Sequence, residues 1–177
     1  MIKKLFLKTI DRLFGSVPYR KLNLYVVDDV KFYAKLVQVK LEEGGYKNIK
    51  VFHNGEEVVA ILKKENPDCI ILDHILSDNG LNGKDVLNYA DFNNPYTHVI
   101  ILSGQEDVEV AAAMMKQGAY DYIIKNDMAF FNLNNTLTRL EDSINEKEKS
   151  VIRDKKIKFL FLLSIILLWV LAIVLIF

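Results

Sequence analysis

Five short apolar runs, each followed by a stretch with helical spacing, leave this chain few ways to fold. The runs lie at residues 22–27, 49–52, 68–73, 98–102 and 120–124. Helical patterns follow at 30–43, 56–65, 84–89 and 107–117, and a last one starts near Ala129. Gly44-Gly45 and Gly118 close two of them, and Asn54-Gly55 opens another. The third run, Cys69-Ile70-Ile71-Leu72, is unbroken rather than alternating, as a strand covered on both faces requires. The pattern therefore predicts an α/β fold: a doubly wound five-stranded parallel sheet with helices on both faces.

In such a sheet the carboxyl ends of all strands share one rim, and ligands bind in the crevice beyond it. The polar residues ending the runs are Asp28-Asp29, Asp73, Ser103-Gly104 and Lys125. Taken singly, each has a plain explanation as a helix cap, a turn residue or a solvated end. Taken together, adjacent strands converge them. Three converging carboxylates repel one another and need a counter-charge. A divalent cation such as Mg²⁺, which prefers a few carboxylates and keeps some of its waters, supplies it, and Lys125 adds a fixed positive charge. Such a site suits phosphoryl transfer, with Asp73 as the candidate nucleophile.

Val26-Val27-Asp28-Asp29, Ile70-Ile71-Leu72-Asp73, Ile101-Leu102-Ser103-Gly104 and Gly118-Ala119-Tyr120-Asp121-Tyr122-Ile123-Ile124-Lys125 resemble the response regulator receiver domain, in order and spacing, over residues 21–145. The resemblance implies a flavodoxin-like strand order 2-1-3-4-5 and phosphorylation of Asp73 by a sensor histidine kinase or a His-phosphotransfer protein. It implies Mg²⁺ held by Asp29 and Asp73 directly, by Asp28 through water and by the Ile75 backbone carbonyl. Ser103 and Lys125 would bind the phosphoryl oxygens, and Tyr122 matches the aromatic that swings inward when Ser103 moves. No enzyme activity is implied beyond the chain's own phosphorylation and dephosphorylation.

Some positions depart from that pattern. Asn126 follows Lys125 where the family usually has proline, often after a cis bond; a non-proline cis bond costs several kcal/mol, roughly 3, which favours a trans or reshaped loop. Ser77 stands where proline is common, and Gly83 arrives two residues late, lengthening the loop at 77–82. Ile75 is apolar where side chains often steer the hydrolytic water, which predicts a long-lived phosphoryl group. Ile75 also counts against an aspartate-nucleophile phosphatase, which carries a second aspartate there. No ligand spacing links His53, His74 and His98, so no metal role is read for them.

The ends of the chain carry different signals. Residues 1–20 place Ile2, Leu5, Phe6, Ile10, Leu13 and Phe14 at helical spacing among Lys3, Lys4, Lys8 and Arg12. This reads as a basic amphipathic helix lying on an anionic membrane, with packing onto the domain or a second copy as the competing reading. Residues 146–158 form a charged helical linker. Residues 159–177 hold no charge and only Ser164 as a polar side chain; at ~1.5 Å per residue they match a bilayer core of ~30 Å. The expectation is a transmembrane tail anchor, with the receiver-like part cytoplasmic beside Arg153, Lys155, Lys156 and Lys158. Lys+Arg and Asp+Glu each number 23, so no net field draws the chain to nucleic acid. The single cysteine, Cys69, excludes an internal disulfide.

Two functions fit: a membrane-tethered receiver that relays or buffers a two-component signal by Mg²⁺-dependent switching, or a receiver-fold scaffold that binds a membrane partner constitutively with phosphorylation unused. A homodimer through the last helices or the anchor is compatible with either.

Overall fold

A computed structural model describes residues 21–76 and 80–176. The N-terminal amphipathic pattern and the departure at Ser77 lie outside the described residues. Strand and helix alternate as β1 (Leu24–Val27), α1 (Lys31–Glu43), β2 (Ile49–Phe52), α2 (Gly55–Leu62), β3 (Cys69–Leu72), α3 (Gly83–Asn93), β4 (His98–Ser103), α4 (Val108–Lys116), β5 (Asp121–Ile124) and α5 (Ala129–Ile176). The five strands pair in parallel in the order β2-β1-β3-β4-β5.

Sheet order follows from burial. β1 and β3 are buried at every position and occupy the interior, whereas edge strand β2 carries exposed Lys50. On one face Tyr25, Val27, Ile70, Leu72, Val99 and Ile101 pack with Val58 and Leu62 of α2, Val86, Leu87 and Ala90 of α3, and Met114 of α4. Their alternates Leu24, Val26, Ile71, Ile100 and Leu102 are equally buried on the other face. There α1 buries Ala34, Val37 and Leu41, and the start of α5 lies beside it through the stacked rings of Tyr33 and Phe130. Right-handed crossovers require this division, because the chain moves one way from β1 to β2 and the other way thereafter.

Local chemistry marks the helix starts. Asn54 accepts from Glu57 N at 2.8 Å, Asn82 and Asp85 form a capping box, and Asp107 accepts from Glu109 N at 2.8 Å. The helix read at 84–89 runs on to Asn93, since Ala90 continues the buried stripe of Val86 and Leu87.

Lys21–Arg139 form one compact unit, and α5 from Leu140 onward belongs to a second. The C-terminal expectation is corrected. Residues 159–176 are not a separate span but the end of one helix that begins at Ala129 and carries charges through Lys158. Among the described residues no helix is long and apolar enough to cross a membrane. The tail anchor, and the tethered localisation inferred from it, are therefore withdrawn.

Candidate functional site

Strand register builds the site. Val27 pairs with Leu72, so the next residues, Asp28 and Asp73, emerge side by side from β1 and β3. The backbone bonds continue one step beyond the strands: Asp28 N to Phe52 O at 3.2 Å, Asp73 N to Val27 O at 2.8 Å, and Lys125 N to Ser103 O at 2.7 Å. Acids and lysine thus leave a hydrogen-bonded scaffold rather than free loops.

Asp28, Asp29 and Asp73 each offer a carboxylate oxygen within 4.8 Å of the others. Asp28 and Asp73 are nearly buried, 3% and 8% exposed. Each divides its two oxygens in the same way. Asp28 Oδ1 accepts from Val30 N at 2.9 Å, and Asp73 Oδ1 accepts from Ile75 N at 3.1 Å. Both Oδ2 atoms accept from Lys125 Nζ, at 2.7 Å from Asp28 and 2.5 Å from Asp73. Two identical loop turns therefore aim two carboxylates at one ammonium.

The electrostatics follow. Burial pushes the Asp28 carboxyl above its ordinary range, with Asp73 adding repulsion and Lys125 opposing both. Burial works against the charge on Lys125, yet its bonds to Asp28 and Asp73 outweigh that cost and leave its pKa raised. Three carboxylates against one ammonium formally leave two negative charges at the site. The donors are all hard oxygens at close spacing, a set that fits a small divalent cation such as Mg²⁺.

Ser103, fully buried, accepts from Gln105 N through its Oγ at 3.1 Å. Tyr122 donates its hydroxyl to Gln105 O at 2.9 Å. Ser103 and Tyr122 therefore both bond the backbone of one residue, Gln105, in the loop after β4, through its N–H and its carbonyl respectively. Ile75 meets the acids through its N–H, and the residue is 59% exposed. The peptide after Lys125 is not cis, as no described residue has a cis bond. Asn126 serves the turn instead: its Oδ1 accepts from Met128 N at 3.0 Å and its carbonyl from Ala129 N at 2.9 Å, opening α5.

Two neighbours of the acids escape the reading of strand ends. His53 Nδ1 lies 3.1 Å from Asp28 O. Tyr33, one turn into α1, places its ring under Lys125 with Nζ 4.2 Å from the centroid. The signal for Tyr33 was present, four residues after Asp29, but a lone aromatic on a helix gives no hint of a cation across the sheet.

A family model described as the response regulator receiver domain matches residues 24–133, more than half of the chain. The chain belongs to this family. Among curated relatives it is 31% identical to the nitrogen assimilation regulatory protein NtrX of Azorhizobium caulinodans over 103 residues, 58% of this chain and 22% of that one. It is 31% identical to the transcriptional regulatory protein TrcR of Mycobacterium tuberculosis over 134 residues, 76% of this chain and 48% of TrcR. The chain thus spans less than half of these relatives. Among solved structures, the Francisella response regulator 1452 receiver domain is 28% identical with a TM-score of 0.62, covering 68% of this chain and 97% of that one. The BeF3-activated DrrB receiver domain is 27% identical with a TM-score of 0.61, covering 70% and 99%.

Proposed function

We propose that this receiver domain takes a phosphoryl group on Asp73 from the phosphohistidine of a sensor kinase or phosphotransfer protein, and so relays or buffers a two-component signal. The observation that carries the reading is the posture of Asp73, nearly buried, with one oxygen held by its own loop and the other by Lys125. In the reaction a carboxylate oxygen forms an O–P bond as the donor's N–P bond breaks, and the electron pair returns to the imidazole ring. Asp28, Asp29 and Asp73, with the Ile75 carbonyl, would hold Mg²⁺, which neutralises charge on the phosphoryl oxygens.

The chain's own residues do the rest. Lys125, released from Asp73 Oδ2, turns its ammonium to a phosphoryl oxygen, and the Ser103 hydroxyl binds another. Drawing Ser103 toward the phosphoryl group breaks its bond from Gln105 N, and the carbonyl of the same residue holds the Tyr122 hydroxyl. Phosphorylation is thereby transmitted to the loop after β4.

The test incubates the full chain with acetyl phosphate and Mg²⁺ and reads intact mass. One phosphoryl group is expected on the parent and none on Asp73→Asn. A parent that gains nothing from any donor leaves the scaffold reading, in which a constitutive partner is bound and the acids are unused.

A further inference from the structure

We propose that Tyr33 is a positioning residue for Lys125, its ring face holding the ammonium in the pocket while the carboxylates change partners. The inference rests on the phosphoryl-acceptor reading of the site.

Lys125 is nearly buried, its side chain 14% exposed, so its ammonium depends on protein groups. An ammonium carries three donors and accepts nothing. Asp28 Oδ2 and Asp73 Oδ2 answer two of them, and the Tyr33 ring, 4.2 Å away, supplies the remaining polarisable surface. Two of these three supports are temporary in the proposed reaction. Asp73 surrenders its negative charge on becoming an acyl phosphate, and Asp28 is drawn to the cation. The ring has no lone pair to offer Mg²⁺ and no charge for the phosphoryl group to repel. It alone of the three keeps the same relation to Lys125 before and after transfer.

The ring is itself held. Phe130 stacks on it, with centroids 6.2 Å apart and 24° between the planes. Lys125 follows β5 and Phe130 lies in the first turn of α5, joined by the short turn that Asn126 bonds, so one short segment sets both the cation and the ring that braces Tyr33. Burial, with Asp28 and Asp73 adding to it against Lys125, holds the Tyr33 hydroxyl protonated and the ring neutral. Simple apolar packing between α1 and α5 needs no cation on the ring, and that difference is measurable.

Full-length Tyr33→Phe and Tyr33→Leu are compared with the parent by two readouts: the aromatic ring-current shift on the Lys125 side-chain resonances, and the rate of phosphorylation by acetyl phosphate with Mg²⁺. The parent and Tyr33→Phe are expected to show the shift and equal rates. Tyr33→Leu is expected to lose the shift and slow by about tenfold, the rate equivalent of a partly buried cation–π contact. If Tyr33→Leu does not fold, Tyr33→Met takes its place as a flexible apolar replacement. An unchanged rate without the ring overturns the proposal, as does slowing in Tyr33→Phe, which would move the role to the hydroxyl. A parent that takes no phosphoryl group retires the proposed function separately. The resonance shift then decides the contact, its absence in the parent overturning the positioning role and its loss only in the leucine variant upholding it.

Discussion

Lys125 Nζ lies 2.7 Å from Asp28 Oδ2, although 97 residues separate the two in the chain. The pair is nearly buried, at 14% and 4% side-chain exposure, and shares its ammonium with Asp73. Each charge is tolerated because the other is present, so removing one exposes the desolvation cost of the rest.

Lys125→Met should therefore lower stability by about 3 kcal/mol at neutral pH, the cost of leaving buried carboxylates without their cation. The sign with pH follows from Asp28. Burial already raises its pKa, and Lys125 is the group that pulls it down. Without Lys125 it rises further, so the folded variant holds the proton more tightly than the unfolded chain and recovers stability as pH falls through the carboxylate range. Urea denaturation at pH 7 and pH 5 checks this; an equal loss at both values contradicts it.

The alkaline limb carries the opposite sign. The Lys125 pKa is raised above its ordinary 10.5 by Asp28 and Asp73 in spite of burial. A raised base contributes stability that is complete below the unfolded value and disappears as pH climbs through the folded one. Parent and Lys125→Met should therefore converge in stability at high alkalinity. A gap that stays constant there would mean the ammonium was not the stabilising species.

Magnesium should stabilise the parent by about 1.4 kcal/mol at ten times its Kd, by mass action. Asp29→Asn should abolish the gain, since Asp29 is the member of the acid cluster least buried and without a bond to Lys125. Thermal unfolding with and without Mg²⁺ reads the difference. An equal gain in Asp29→Asn would place the cation elsewhere.

Gly83→Ala should cost ~1–3 kcal/mol and slow phosphoryl acceptance. An added Cβ would meet Asp73 O at 2.4 Å and His74 O at 2.6 Å, backbone atoms that move only with the phosphoacceptor itself. Stability and mass-detected phosphorylation together test this, and an alanine variant matching the parent in both would rule out the close approach.

A phosphoryl group on Asp73 should be long-lived, because the residue two positions on, Ile75, is apolar and offers no group to orient a hydrolytic water. Following the added mass after removal of the donor measures the lifetime. Decay with a half-life of seconds would refute the expectation.

The strands were legible because burial on both faces leaves an unbroken apolar run, seen in Cys69-Ile70-Ile71-Leu72, whereas their order was implied only by the family resemblance. Asp28, Asp29, Asp73 and Lys125 were legible as strand ends, since parallel topology sends all such ends to one rim. Helix limits were less so. α3 extends past Tyr89 to Asn93, where exposed Asp91 and Phe92 dilute the apolar pattern. The apolar stretch at 159–177 misled because it was read apart from the charged residues that precede it in the same helix, and among the described residues no helix is long and apolar enough to cross a membrane.

What the sequence determined by itself was the set of short-range choices: which runs become strands, where helices follow them, and which polar groups end each strand. The tertiary structure alone decided that one ammonium bridges the Oδ2 atoms of Asp28 and Asp73, that Tyr33 lies beneath it, and that Ser103 and Tyr122 both bond the backbone of Gln105. Those partners come from different strands and helices, so their distances are set by sheet register and helix packing. No local pattern of residues carries that information.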